Sequence, residues 1–244
     1  MIRRNAYRAV CCLAPLALVF CVPTQAQYPG KSIRLIVPAT AGDGSDILAR
    51  ALGQELGARM GQPIVIDNRP GAGGSIASDL VAKAPADGYT LLLGNGSSHG
   101  VTPGLYPKLP YDSVRDFAPI TLIATAANAL VVSAALAANS PAELIALARA
   151  KPGRLNIASA GSGSLSHLSG ELFKSMAGID MVHIPYRGAT PALADLAGGD
   201  IAAMVINIPT ILPLARAGKI RAIATTGARR ATALPDVPTL AESG

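Results

Sequence analysis

Two short loops of small residues stand where this chain could seat an anion. Residues 39–45 include Gly42, Asp43 and Gly44, and residues 160–164 read Ala-Gly-Ser-Gly-Ser. Each joins the end of an apolar, strand-like run to the start of a helix-like segment. A helix start presents unpaired N–H groups and the positive pole of the helix dipole, which suits a carboxylate or a phosphate. In open α/β sheets, ligands settle at the carboxyl ends of the strands. Either loop alone also reads as an ordinary tight turn. The pair, one in each half of the chain, points to a cleft between the halves.

Other spacings are weaker. Residues Gly161, Gly163 and Ser166 give two of the three glycines of a dinucleotide fingerprint, but the next strand ends in Tyr186-Arg187-Gly188 without the acidic residue such a site needs. No P-loop spacing occurs. Gly96-Ser97-Ser98-His99-Gly100 fits G-x-S-x-G, which would make Ser98 the nucleophile of an esterase-like hydrolase, the alternative function. Pro103 and Gly104 follow closely and argue against the helix that a nucleophile elbow needs. Asn95 and its neighbours at this strand end also suit a pocket lining. His99, His167 and His183 show no metal-ligand spacing; His167 is placed where it could reach a cleft or equally face solvent or the core edge, and His183 lies within a strand, where a core role is favoured. No carboxylates are spaced as an acid–base couple. The reading is of no catalysis, no metal and no cofactor.

The elements that must position these loops follow from periodicity and punctuation. Residues 32–38 read as a strand, 46–60 as a helix with Leu48, Leu52, Leu56 and Met60 four apart, and 63–66 as a second strand. A helix over 75–83 and a strand over 89–93 complete a βαβαβ unit, which implies a parallel sheet covered by helices. The second half repeats the pattern. Ser140-Pro141-Ala142-Glu143 is a capping box with Pro at the first helical position. Strands are expected over 155–159, 181–186, 201–206 and 220–225, with helices over 190–196 and near 211–217. A further helix is striped by Leu165, Leu168, Leu172 and Met176. Residues 117–132, almost without charge, read as a crossing between two lobes.

Composition bounds the partners. Half the residues are hydrophobic and 15% are charged, enough for a sizeable core. Three of the 21 Lys and Arg lie in the first eight residues, leaving 18 against 15 acidic residues, too slight an excess for a nucleic-acid surface. Arg3, Arg4 and Arg8, an apolar run over 9–22 and Thr24-Gln25-Ala26 have the layout of a signal peptide cleaved after Ala26. All three cysteines fall within it, so the exported chain would hold no disulfide.

A series of motifs spans the exported chain: Gly42-Asp43-Gly44-Ser45-Asp46, Asp67-Asn68-Arg69-Pro70-Gly71, Ala86-Asp87-Gly88-Tyr89, Gly163-Ser164 with His167-Leu168, His183-Ile184-Pro185-Tyr186-Arg187-Gly188 and Leu234-Pro235-Asp236-Val237-Pro238-Thr239. Together they resemble the tripartite tricarboxylate transporter solute-binding receptors, the Bug family. The resemblance implies an α/β, type II (Venus-flytrap) periplasmic binding protein with a mostly parallel sheet in each lobe. It implies a monomer that captures a small carboxylate, di- or tricarboxylate or amino-acid-like, for a membrane permease, with no catalysis. It divides the chain into a signal peptide (1–26), lobe 1 (27–124), lobe 2 (125–222) and a return segment toward lobe 1 (223–244). The ligand-binding residues it implies are Ala39, Thr40, Gly42, Asp43, Gly44 and Asp46 in the first loop, and Ser159, Gly161, Ser162, Gly163, Ser164 and His167 in the second. Asn95 and Arg187 join them, Arg187 as a partner for a distal carboxylate.

Two departures from the family pattern carry expectations. Family members continue well past residue 239, so the resemblance implies an incomplete first lobe, as in a fragment, a truncated gene product or a non-binding degenerate copy. The family also has a larger residue in place of Ala39 and a glycine in place of Asp43. Two like charges ~4 Å apart repel by about 1 kcal/mol in water and about 4 kcal/mol at an effective dielectric near 20. Either Asp43 points away from the ligand, or the ligand carries an amine that pairs with it.

Overall fold

The computed structural model describes residues 28–244, so the segment read as a signal peptide, with its three cysteines, lies outside the described residues. The first lobe is built from β1 (Ile33–Val37), α1 (Gly44–Met60), β2 (Ile64–Asn68), α2 (Ser75–Ala82) and β3 (Thr90–Leu92). Its sheet has the order β2-β1-β3, and β1 pairs parallel with both neighbours, as the βαβαβ pattern requires. A π-helical turn over Gly96–Val101 then runs directly into the short α3 (Thr102–Leu105). A helical path therefore does follow the G-x-S-x-G motif; Pro103 sits in the first turn of α3, where its missing N–H costs nothing.

The second lobe comprises β4 (Asn128–Ser133), α4 (Pro141–Ala150), β5 (Asn156–Ser159), α5 (Leu165–Ala177), β6 (Val182–Pro185), α6 (Ala189–Gly198), β7 (Ala203–Asn207), α7 (Ile208–Arg216) and β8 (Ile220–Thr225). Its sheet order is β6-β5-β7-β4-β8. Strands β6, β5 and β7 are parallel, whereas β4 is antiparallel to both β7 and β8. Strand β4 begins inside the stretch read only as a crossing (117–132) and ends one residue beyond it. Its alternation places Ala129 and Val131 in the core layer shared with α6 and α7, and Leu130 and Val132 in the layer beneath α4 and α5. Each such aliphatic side chain, fully buried, contributes about 1.5–3 kcal/mol. Residues 226–244 pack against this lobe: Thr225 donates its N–H to the Pro238 carbonyl and accepts from Leu240.

Helices α1 and α5 meet their sheets mostly through small residues rather than through their leucine stripes. On α1 the buried positions are Asp46, Ala49 and Gly53, and a Cβ on Gly53 would stand 3.2 Å from Ile66. On α5 they are Ser166, Gly170 and Phe173, and a Cβ on Gly170 would stand 3.2 Å from Ile157. The expected stripe of α5 is outward: Leu172 and Met176 are 60% and 81% exposed. Close approach of helix to sheet selects glycine and alanine at the contact and pushes the large residues to the flanks.

Candidate functional site

A cavity of about 960 Å³ lies between the lobes, walled by the ends of β1, β3, β5 and β7 and by residues 121–126 of the crossing segment. Hydrogen bonds bridge the lobes around it. The N–H of Gly44 donates to Thr210 Oγ1 (2.6 Å), that of Leu165 to Ser97 Oγ (2.9 Å), and the Thr190 hydroxyl to the carbonyl of Ala41 (2.8 Å).

The first loop is braced from beneath. Buried Asp46 accepts from the N–H of Gly42 (2.9 Å), from Arg50 Nε (2.9 Å) and from Asn68 Nδ2 (3.0 Å), and Asn68 also donates to the carbonyl of Ala39 (3.1 Å). Burial opposes ionisation of Asp46, but these hydrogen bonds and the charge of Arg50 prevail and hold its carboxyl below the usual range. Asp43 is the N-cap of α1, its Oδ1 accepting from the N–H of Ser45 (2.9 Å). It is only 7% exposed, and burial pushes its pKa up against the hydrogen bonds from Ser45 and Asn207, with repulsion from Asp46 adding to the rise.

The second loop is braced by serines. Ser159 Oγ lies 2.7 Å from His183 Nε2 and accepts from the N–H of Gly161 (3.2 Å). Ser164 is the N-cap of α5, accepting from the N–H of His167 (3.1 Å) and donating to the carbonyl of Gly161 (2.7 Å). Gly163 donates to His167 Nδ1 (3.3 Å), and the rings of His167 and His183 stack 4.1 Å apart. Burial, reinforced by repulsion from His167, holds the His183 pKa below its ordinary value. His167, Glu171 and His183 each bring one potential ligand atom within 4.8 Å of the others, a convergence the sequence spacing did not suggest. Lys174 Nζ engages both oxygens of Glu171 (2.9 and 3.0 Å), so the carboxylate already has its cation, and stacked rings direct their in-plane lone pairs side by side rather than to one point.

Of the residues expected to bind ligand, Ala39, Thr40, Asp43, Gly44, Asn95 and Ser164 line the cavity. Gly42, Asp46, Ser159, Gly161, Ser162, Gly163 and His167 do not line it, and several of them brace the loops. Exposed Arg187 does not line it, although its neighbour Gly188 does. Sequence reasoning missed Asn207 and Thr210. Asn207 ends β7, caps α7 by accepting from the N–H of Thr210 (3.2 Å) and lines the cavity beside Asp43. The signal was present as Asn207-Ile208-Pro209, a cap followed by proline in the first helical turn.

The nucleophile-elbow motif does yield a serine–histidine pair, Ser98 Oγ to His99 Nδ1 at 2.8 Å. Ser98, however, is fully buried, is absent from the cavity wall, and completes a capping box with Asn95. Its hydroxyl holds the turn together instead of facing a substrate.

Two α/β lobes with a cavity at the strand ends between them define a binding-protein architecture. The chain belongs to the tripartite tricarboxylate transporter receptor family, whose model matches residues 48–244. It is 41% identical over 218 residues to protein BugT of Bordetella pertussis, covering 89% of this chain and 67% of BugT. An R. palustris protein solved with adipate superposes with a TM-score of 0.87 at 42% identity, covering 89% of this chain and 73% of that one. MatC from Rhodopseudomonas palustris, solved with bound malate, gives 0.84 at 34% identity, covering 89% and 74%. The chain spans 64% to 69% of the length of the first three curated relatives it matches.

Proposed function

We propose that this chain is an extracytoplasmic solute receptor that closes its two lobes on a small carboxylate-bearing molecule and delivers it to the permease of a tripartite tricarboxylate transporter. It acts by binding, without turnover, as a monomer in the periplasm after removal of residues 1–26. The lobe division is proposed near residue 124, with the second lobe running through β8 and residues 226–244 packed on it, rather than ending at residue 222 with 223–244 returning toward the first lobe. The interlobe cavity carries the reading, because hydrogen bonds cross between the lobes at three separate points around it. The adipate and malate found in the related structures support the ligand class. Proposed contacts are Thr40, Asp43, Gly44, Asn95 and Ser164, with the braced residues Gly42, Asp46, Ser159, Gly161, Ser162, Gly163 and His167 shaping the loops. Native mass spectrometry of protein purified from the periplasm tests the reading. One co-purified organic acid per chain is expected. A chain that carries no small molecule, and shows no saturable heat with adipate, malate or their amino analogues, overturns it.

A further inference from the structure

The two ends of the cavity differ in charge. Among the residues lining it, Asp43 is the one carboxylate, none is lysine or arginine, and His99 is the other titratable group. The side chain of Asp43 stands at the N-terminal pole of α1, the place where a ligand carboxylate would otherwise sit. The amides of this loop are also engaged. Gly42 donates to Asp46, Asp43 to the carbonyl of Thr40, Gly44 to Thr210 and Ser45 to Asp43 itself. The first lobe thus presents a buried carboxyl group in place of an amide cradle. On the second lobe the matching cap is the neutral Ser164, and the other polar side chains of the wall include Asn128, Ser166 and Asn207, all uncharged.

Resting on the receptor reading, we propose that Asp43 selects a solute bearing an ammonium group as well as a carboxylate. The ammonium lies against Asp43 in the first lobe and the carboxylate faces the second. A dicarboxylate would place one of its charges against a buried like charge, whereas an amino acid places an opposite one there. Burial already disfavours the ionised form of Asp43, and an ammonium partner restores it. The remaining titratable groups around Asp43 do not supply that partner: Asp46 is a carboxylate held by Arg50, and burial lowers the pKa of His99, disfavouring its charged form.

Calorimetric titration of the full chain, and of its Asp43→Asn and Asp43→Gly variants, with two matched pairs tests this: adipate against 6-aminohexanoate, and malate against aspartate. Asparagine caps a helix as well as aspartate does, so Asp43→Asn keeps α1 intact, and Asp43→Gly tests the seat without a side chain. The expected result is that the unaltered chain prefers the amino member of a pair and that both variants shift this ratio toward the dicarboxylate by about a hundredfold, as two unit charges in a poorly solvated site require. A ratio that stays the same in both variants overturns the inference and leaves the receptor reading standing. Failure of all four solutes to bind any of the three proteins, with no co-purified acid, overturns the receptor reading and this inference with it.

Discussion

The β1–α1 loop and the β5–α5 loop occupy the same place in their lobes, yet they are finished with different chemistry. Each follows a strand flanked by two parallel neighbours, β1 between β2 and β3, and β5 between β6 and β7. Each leads into a helix that meets its sheet through a glycine, Gly53 or Gly170. The first helix is capped by a buried carboxylate, Asp43, and its loop is held from below by a second one, Asp46. The second is capped by Ser164, and its loop is held by Ser159 and two stacked histidines. Topology places a helix pole at the cavity in both lobes; the capping residue then decides what charge the ligand meets there.

The largest effect expected from breaking this symmetry is on stability. Asp46→Ala removes a buried acceptor that serves Gly42, Arg50 and Asn68 together, at a cost of about 3 kcal/mol. At the corresponding start of α5, Ser166→Ala removes one hydrogen bond, from Ser166 Oγ to the carbonyl of Val205, at about 1 kcal/mol. Urea unfolding of both variants checks the contrast. Equal losses would mean that the carboxylate brace has no special role.

The next effect falls on closure. Gly44 and Leu165 are the first helical residues of α1 and α5, and both donate their N–H across the lobe boundary. A Cβ on Gly44 would collide with the side-chain amide of Asn207 in the opposite lobe, while Leu165 is 42% exposed on the cavity wall. Gly44→Ala is therefore expected to weaken ligand binding at least about tenfold while leaving the ligand-free melting temperature unchanged or raised, since alanine favours helix. Leu165→Ala should change affinity far less. Calorimetry and melting curves on the two variants separate a block to closure from a loss of folding.

The same comparison marks how much of the molecule was legible in its sequence. Strands β1 and β8 were readable from their apolar runs, α1 from apolar residues four apart, and α4 from the capping box at its start. Strand β4 was not, because Asn128–Ser133 sits at the end of a longer apolar stretch with no turn residue to mark its start. The α5 stripe was read correctly as a helix, but its leucines and Met176 face outward, since α5 lies on its sheet through Ser166, Gly170 and Phe173 instead. The two loops were found by the strand-end rule. Their partners across the cavity were not, because the Gly44–Thr210 bond joins positions 166 residues apart and no local pattern encodes such a contact.

The smallest effect expected is a pH dependence that separates the loops again. His183 holds Ser159 at the end of β5, and its folded-state pKa lies below its ordinary value of about 6.5, first because of burial and then because of His167. For a histidine lowered in this way, the unfolded chain takes up a proton at a higher pH than the folded one. The stabilisation is therefore complete above about pH 6.5 and is lost as the pH falls toward the folded value. His99 in the first lobe is lowered by burial and contributes with the same sign, so it leaves a residual slope in any His183 variant. His183→Asn should thus flatten, without abolishing, the decline of the melting temperature between about pH 6.5 and 5. Its effect on ligand affinity should appear only through the second loop, leaving the preference set at Asp43 untouched. If the variant and the unaltered chain decline in parallel over that range, His183 does not couple protonation to the β5–α5 loop.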